Sequence, residues 1–255
     1  MKIATLNINS VNARLPLLLK WLRQNAPDVL LLQEIKTQYN DFPFFEINAS
    51  GYQAKAVGQK GYNGVAILAK QNISVRSENL PKFEYDEARY LETQINDIII
   101  SSVYMPNGNP VGSANYKKKL AFMDAFYRHA FELKKQHNKI IFGGDFNVIA
   151  GTNDVYNPSL FAQDALFQKE VKDRLCALQY LGYYDAYRAL HPSSFGYTYW
   201  DYGTLAFQND FGLRIDYLMC SPFMAEKLIT CEPDKSLRAE EKPSDHTALI
   251  ATFDI

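Results

Sequence analysis

The chain has 255 residues, of which 47% are hydrophobic and 22% charged, an ordinary globular composition that excludes global disorder and a fibrous architecture. Its length allows roughly three quarters of the unfolded surface to be buried, so a core needs neither disulfides nor a structural metal. With 27 basic and 28 acidic side chains the net charge is -1, so nucleic-acid binding gets no support from overall charge and would need a local basic surface.

In chain order, residues 2–9 (KIATLNIN) read as a strand. Leu15, Leu18, Leu19 and Leu22 then repeat at helical spacing, with Asn12 as the expected cap and Pro16 near the start. Strand character returns at residues 28–34, 64–69 and 97–104, and residues 105–115 read as a loop. Tyr116, Leu120, Met123, Tyr127, Ala130 and Leu133 trace a second helical stripe. Residues 139–147 are strand-like and 151–161 loop-like. A third stripe, Phe167, Val171, Leu175, Leu178 and Leu181, is preceded by Asp164 and followed by Gly182. An aromatic-rich loop at 191–212, a strand at 213–220, a loop at 232–244 and a last strand at 246–253 complete the pattern. Strands mixed with fewer helices predict layered α/β (α+β) packing in one domain over residues 1–255, and long loops inside such a domain are often functional.

Cys176, Cys220 and Cys231 form no CxxC pair, which argues against a disulfide framework and fits a reducing compartment. Thr5, Asn7 and Asn9 interrupt any leader-like apolar run. No stretch approaches the ~20 apolar residues of a membrane helix. The expectation is a soluble cytoplasmic protein with no membrane partner, and a monomer, since no heptad pattern appears.

Polar residues gather at the strand ends: Asn7 and Asn9, Gln33 and Glu34, Tyr104, Asp145 and Asn147, Asp216, and Asp245 with His246. Singly, each has an ordinary structural explanation. Glu34 and Asn7 suit turns, and His246 suits a satisfied core histidine. Asp216 inside an apolar strand is harder to explain, because a buried carboxylate needs a partner. Together, at six strand ends, they predict one rim of carboxylates and amides. Such a rim suits a hard cation such as Mg²⁺. A cation, a histidine and amide donors are also what a phosphodiester needs before carboxylates can approach it.

The motifs NINSVNAR, LLQEIK, KGYNGVAIL, VYMPNG, GGDFNV, LRIDY and KPSDH, in this order across residues 2–253, resemble the exonuclease III family of abasic-site endonucleases, within the endonuclease/exonuclease/phosphatase superfamily. The resemblance implies a four-layer αββα sandwich of two packed β-sheets flanked by helices. It implies Glu34 as the principal metal ligand, supported by Asn7, Asp145, Asn147, Asp245 and His246. It implies Asp145 as the group that activates or positions water, Asn147 as its orienting partner, and Asp216 coupled to His246. Tyr104 and Asn107 would contact phosphate. Asn9 stands where animal relatives carry a metal-binding aspartate, so weak metal contact is expected of it. Asn109 and Pro110 stand where animal enzymes insert an arginine into DNA.

Tyr199, Trp200, Leu213 and Ile215 match positions that line the family's abasic-sugar pocket, with Tyr199 and Trp200 favoured over the two aliphatics. Lys60 matches a DNA-facing loop. The run Lys117, Lys118 and Lys119 reads by default as a solvated helix face, with DNA-backbone contact as the sharper alternative. The activity implied is Mg²⁺-dependent hydrolysis 5′ to abasic sites in double-stranded DNA, with Mn²⁺ able to substitute and 3′ ends as further substrates. Two other readings stay open: a different phosphoesterase of the superfamily, acting on inositol phosphates, lipids or nucleic acid at large, and a catalytically inactive nucleic-acid-binding relative.

Overall fold

In the computed structural model, which describes residues 1–203 and 205–255, the elements run β1 (Lys2–Asn7), α1 (Leu15–Asn25), β2 (Val29–Gln33), α2 (Phe44–Ala49), β3 (Gln53–Val57), β4 (Val65–Ala69), β5 (Ser74–Ser77), β6 (Tyr90–Ile95), β7 (Ile98–Tyr104), α3 (Ala114–Gln136), β8 (Ile140–Asp145), α4 (Lys169–Tyr180), β9 (Tyr184–Asp185), α5 (Ala186–Leu190), β10 (Asp216–Cys220), α6 (Pro222–Glu226), β11 (Leu228–Asp234) and β12 (Ala248–Phe253). They form two six-stranded sheets, ordered β11-β12-β1-β2-β4-β3 and β5-β6-β7-β8-β10-β9. The pairs β1/β2 and β7/β8 are parallel, each joined by a connection that carries a helix, as parallel neighbours require.

The sheets pack face to face through Ile3, Leu31, Ile67, Ile100, Leu218 and Leu249. On the outer face of the first sheet, Leu18, Trp21 and Leu22 of α1 cover Leu6, Leu30 and Leu32. On the outer face of the second, Phe122, Phe126, Leu175 and Leu178 of α3 and α4 cover Val103, Phe142 and Tyr217. The result is the four-layer αββα sandwich. Gly143 of β8 marks how close the sheets come: a Cβ there would lie 2.4 Å from Leu31 Cδ1 and 2.7 Å from Leu218 Cδ2. One polar stitch crosses this apolar interface. Gln33 Nε2 donates to Ser102 Oγ at 2.9 Å, and Ser102 Oγ donates to the carbonyl of Leu32 at 2.9 Å. It lies one residue from Glu34 and two from Tyr104, so it fixes how the two sheet rims meet.

The strands legible in the sequence are central ones. In β2, β4, β8 and β10 every residue is buried, which requires continuous apolar runs. The strands that periodicity missed are mostly edges or near-edges. β5 (SVRS) is largely exposed and polar, and β3 (QAKAV) exposes Gln53 and Lys55, as edge strands tend to do. β11 occupies the start of the expected 232–244 loop, and a short 3₁₀ turn at Leu237–Ala239 follows it. β6 is the exception. Its Glu92 is 3% exposed, paired with His129, Arg76 and the Tyr90 hydroxyl.

Two expected caps are corrected. The residue capping α1 is Arg14, without a side-chain bond, while Asn12 Nδ2 donates to Thr37 Oγ1 and to the Asp41 carbonyl. α4 begins after Gln168, and the Asp164 carboxylate serves the preceding turn, accepting from Leu166 N at 2.8 Å.

Candidate active site

Strand register alone places three of the polar residues side by side. Tyr104 pairs with Asp145 across β7/β8, and Asp145 pairs with Asp216 across β8/β10. Directly paired residues project to the same face of a sheet. In the other sheet Asn7 pairs with Gln33, and the chain then turns through Glu34 and Lys36 at φ 49° and 51°. Left-handed conformations in non-glycine residues cost roughly 1–3 kcal/mol each and cluster at functional sites. Asn9 and Asn147, at φ 47° and 51°, share this feature.

The two rims then interlock. Asn7 Nδ2 donates to Glu34 Oε1 at 2.8 Å and to Asp145 Oδ2 at 3.0 Å, bridging the sheets. Tyr104 Oη donates to Glu34 Oε1 at 2.9 Å. Asn147 N donates to Asp145 Oδ1 at 2.9 Å, and Asn107 Nδ2 to Asn147 Oδ1 at 3.1 Å. His246 Nδ1 lies 2.8 Å from Asp216 Oδ2, and its Nε2 lies 3.7 Å from Asp145 Oδ2. Asn9 Nδ2 donates to Asp245 Oδ1 at 3.0 Å. Asn7, Tyr104, Asp145, Asn147, Asp216, His246, Glu34, Asp245, Asn9 and Asn107 are therefore joined in short chains of contact around one cleft.

Electrostatics follow from burial and neighbours. Burial pushes the Asp145 carboxyl up to about 7, with the His246 charge opposing and the Asp216 and Glu34 charges adding to the rise. For His246 burial alone would favour the neutral ring. The carboxylates of Asp216, Asp145 and Asp245 outweigh it and raise the imidazole to about 10. Burial would also raise Glu34, but hydrogen bonds from Asn7 and Lys36 and the Lys36 charge hold it below the usual carboxylate range. Burial lifts the Tyr104 hydroxyl well above its ordinary value, with Glu34 and Asp145 adding to the shift. The site at neutral pH thus holds an imidazolium, ionised Glu34 and a proton-donating phenol.

Donor atoms of Asp145, Asp216 and His246 all lie within 4.8 Å of one another. Nδ1 of His246 is engaged by Asp216, so the oxygens of Asp145 and Glu34, bridged by the Asn7 amide, form the better hard-cation face. Asp216 Oδ1 is buried without a hydrogen-bond partner among the described residues. Lys36 Nζ lies 2.8 Å from Glu34 Oε2 and 2.6 Å from Asn9 Oδ1. A cation is already drawn to Glu34 and Asn9, and the carboxylates of Glu34 and Asp145 fit a divalent metal.

Beside the acids opens a cavity of about 330 Å³. Its apolar wall includes Tyr156, Phe161, Leu166, Phe211, Leu213 and Ile215. Leu213 pairs with Tyr199, which pairs with His246 through isolated bridges, and the Tyr199 ring meets the His246 ring at 5.0 Å. Alternation along the LRID run explains the wall. Leu213 and Ile215 face the cavity, while Arg214 between them turns away into a buried ion network with Asp154 and Asp185 at 2.6 and 2.8 Å.

Two expectations need correction. Trp200, expected with Tyr199 to line the sugar pocket, is 0% exposed; it packs against Tyr197 and Ala206 and donates Nε1 to Asp210 Oδ1. The two aliphatics, favoured less, reach the cavity. The basic run is not a uniform solvated face either: Lys118 pairs with Glu87, and Lys119 is fully buried, its amino group on the carbonyls of Asn107 and Asn147. Burial pushes Lys119 down to about 7, with the Asp145 and Asp164 charges opposing. The signal was present, because Lys119 falls between Tyr116 and Met123 on the apolar stripe. Lys60 is exposed in the loop between β3 and β4 and is not brought into the cleft. Tyr156, Phe161, Leu166 and Phe211 had no motif to announce them.

Comparison with known proteins places this geometry. The model of the Endonuclease/Exonuclease/phosphatase family matches residues 4–246. Exodeoxyribonuclease III of Haemophilus influenzae is 30% identical, over 99% of this chain and 100% of that protein. DNA repair nuclease APEX1 of Danio rerio is 28% identical, over 96% of this chain and 80% of that protein. Among solved structures, the 3′ phosphatase NExo from Neisseria bound to a product DNA hairpin superposes with a TM-score of 0.97 at 33% identity, and an AP endonuclease from Archaeoglobus fulgidus with 0.95 at 33%, each covering both chains fully. On its matched motifs, its two-sheet architecture and these relatives, the chain belongs to the Endonuclease/Exonuclease/phosphatase family.

Proposed function

We propose that the chain is a DNA-repair nuclease that hydrolyses the phosphodiester 5′ to abasic sites in double-stranded DNA, using Mg²⁺ or, in its place, Mn²⁺, and that it also processes 3′ ends. The observation that carries this reading is the bridged acid row of Glu34, Asn7 and Asp145, set beside the His246–Asp216 pair and opening onto an apolar cavity. The relatives are named as exodeoxyribonuclease III, AP endonuclease and 3′ phosphatase, which supports the same chemistry.

Glu34 and Asp145 would hold the metal, with Asn7 supporting both carboxylates, and the metal when bound would supply Lewis-acid charge to a phosphoryl oxygen. Asp145, with its carboxyl near neutrality, accepts the proton of the attacking water. Asn147, hydrogen-bonded to Asp145 through its own N–H, orients that water and the phosphate. The water oxygen bonds to phosphorus, the bond from phosphorus to the 3′ oxygen breaks, and that oxygen takes up a proton from solvent, leaving a 3′-hydroxyl and a 5′-phosphate on the abasic residue. The His246 imidazolium, held by Asp216, faces the charge that develops on the phosphoryl oxygens, and Asn107 Nδ2 adds a donor to it, joined by Tyr104 Oη when its hydrogen bond turns from Glu34 to the phosphate. The cavity would take a sugar without a base, flipped out of the duplex against its apolar wall.

The test is a labelled duplex with one tetrahydrofuran abasic analogue, incubated with Mg²⁺ and separately with EDTA. A single cut immediately 5′ to the analogue, abolished by EDTA, is expected. The match to a 3′ phosphatase favours a second reading, in which end processing dominates. A duplex ending in 3′-phosphate, run in parallel, separates the two. Faster release of phosphate than of the abasic cut would give the second reading precedence, and no reaction on either duplex would overturn both.

A further inference from the structure

Lys119 has no task in the reaction just described, yet it is 0% exposed beneath the phosphate-facing loops. Its Nζ donates to the carbonyl of Asn107 at 3.0 Å and to that of Asn147 at 2.5 Å. Those carbonyls belong to separate loops, one leaving β7 and one leaving β8. The side chains of the same two residues join above: Asn107 Nδ2 donates to Asn147 Oδ1 at 3.1 Å, and Asn147 Nδ2 donates to the Met105 carbonyl at 3.0 Å. Asn147 sits at φ 51°, a left-handed conformation that asparagine tolerates better than most residues. Gly108 lets the turn close over the lysine stem: it sits at φ 92°, and a Cβ there would lie 2.6 Å from Lys119 Cδ. Burying an amine is unfavourable unless its N–H groups are paired, and an apolar side chain of similar length would fill the same space. What the lysine adds is the pair of N–H bonds.

We propose that Lys119 is a positioning residue for the reaction: by donating to the main-chain carbonyls of Asn107 and Asn147 it locks the two loops together and so sets the asparagine side chains against the scissile phosphate. This rests on the nuclease reading for its chemistry. Lys119 is too deeply buried to contact DNA itself, so its loss should act on turnover and not on grip. Misplacement of reacting groups by about 1 Å costs up to ~10²-fold in rate.

The experiment uses the full chain with Mg²⁺, comparing the wild type with Lys119→Met and Lys119→Arg on the abasic duplex. For Lys119→Met, kcat should fall about 10–100-fold while KM stays within roughly threefold, and Lys119→Arg should recover part of kcat. A double variant with Asn107→Ala should lose little more than the worse single variant, because both act through one unit. Unchanged kcat in Lys119→Met, or equal losses of kcat in all lysine variants with KM rising in step, would overturn the proposal. A second measurement needs neither substrate nor variant. NMR of the ¹⁵N-labelled wild type should show slowly exchanging Lys119 Nζ protons close to Asn107 and Asn147, and rapid exchange there would overturn the proposal whatever DNA the enzyme prefers. Inactivity of the wild type on the duplex would sink the substrate reading alone.

Discussion

The acid side of the cleft and its apolar side are built differently. Asn7, Tyr104, Asp145 and Asp216 sit on the ends of buried strands, where backbone pairing fixes their spacing before any side chain is chosen. Tyr156, Leu166 and Phe211 come from loops and Phe161 from a short 3₁₀ turn, and packing with a few isolated backbone bonds, not a strand ladder, brings them to one wall. A strand end can hold a catalytic group to a fraction of an ångström, because shifting it means shifting a ladder of hydrogen bonds. A loop wall can change shape at smaller cost, which suits substrate choice better than chemistry. Damage to the acid side should therefore appear in kcat, and damage to the apolar side in stability or selectivity.

The largest effect should come from Asp145→Asn. Loss of the proton acceptor should lower kcat by about 10²–10⁴-fold, while DNA affinity measured in Ca²⁺ stays near that of the wild type. In EDTA the variant should melt no lower than the wild type, since an amide replaces a buried carboxyl already pushed up to about 7. A clear drop in melting temperature would mean that the acid side is structural.

Arg214→Met comes next and probes the support behind the apolar wall. It leaves Asp185 buried without its guanidinium and Asp154 with Arg188 alone, so urea unfolding should show a loss of about 3–5 kcal/mol. Cleavage by the molecules that remain folded should keep its metal dependence. Leu213→Ala should act more gently. Enlarging the cavity should reduce the preference for an abasic site over an intact nucleotide by about tenfold, read as a ratio of kcat/KM on two duplexes. A fall in both rates with the ratio unchanged would show that the wall does not select.

The last effect is a pH dependence. His246 is raised from 6.5 to about 10 in the folded chain, so its stabilising contribution is complete below pH 6.5 and is lost as pH rises towards 10. In EDTA, the melting temperature of the wild type relative to His246→Gln should therefore fall across that window. A difference that grew with pH would mean that the ring is buried neutral.

Much of the acid side was legible in the sequence, because each residue closes or opens an apolar run and the runs mark buried central strands. The register that turns those ends into one row was not legible, since Tyr104 and Asp145 lie far apart in the chain. The apolar wall was only half legible. Alternation placed Leu213 and Ile215 on one face, but nothing in YTYW distinguished Tyr199, which meets His246, from Trp200, which turns into the core. Lys119 was misread because three consecutive lysines look like a surface, although helical spacing already put the third on the buried stripe.

The sequence by itself determined the order of central strands and helices, the polar residues at their ends, and the family they spell, since burial on both faces demands continuous apolar runs and chemistry demands polar residues where they stop. Only the tertiary structure decided which strand ends meet, which aromatic lines the cavity, and that a lysine in a basic run lies beneath two asparagines. Those outcomes depend on contacts between residues distant in the chain, and local pattern carries no record of them.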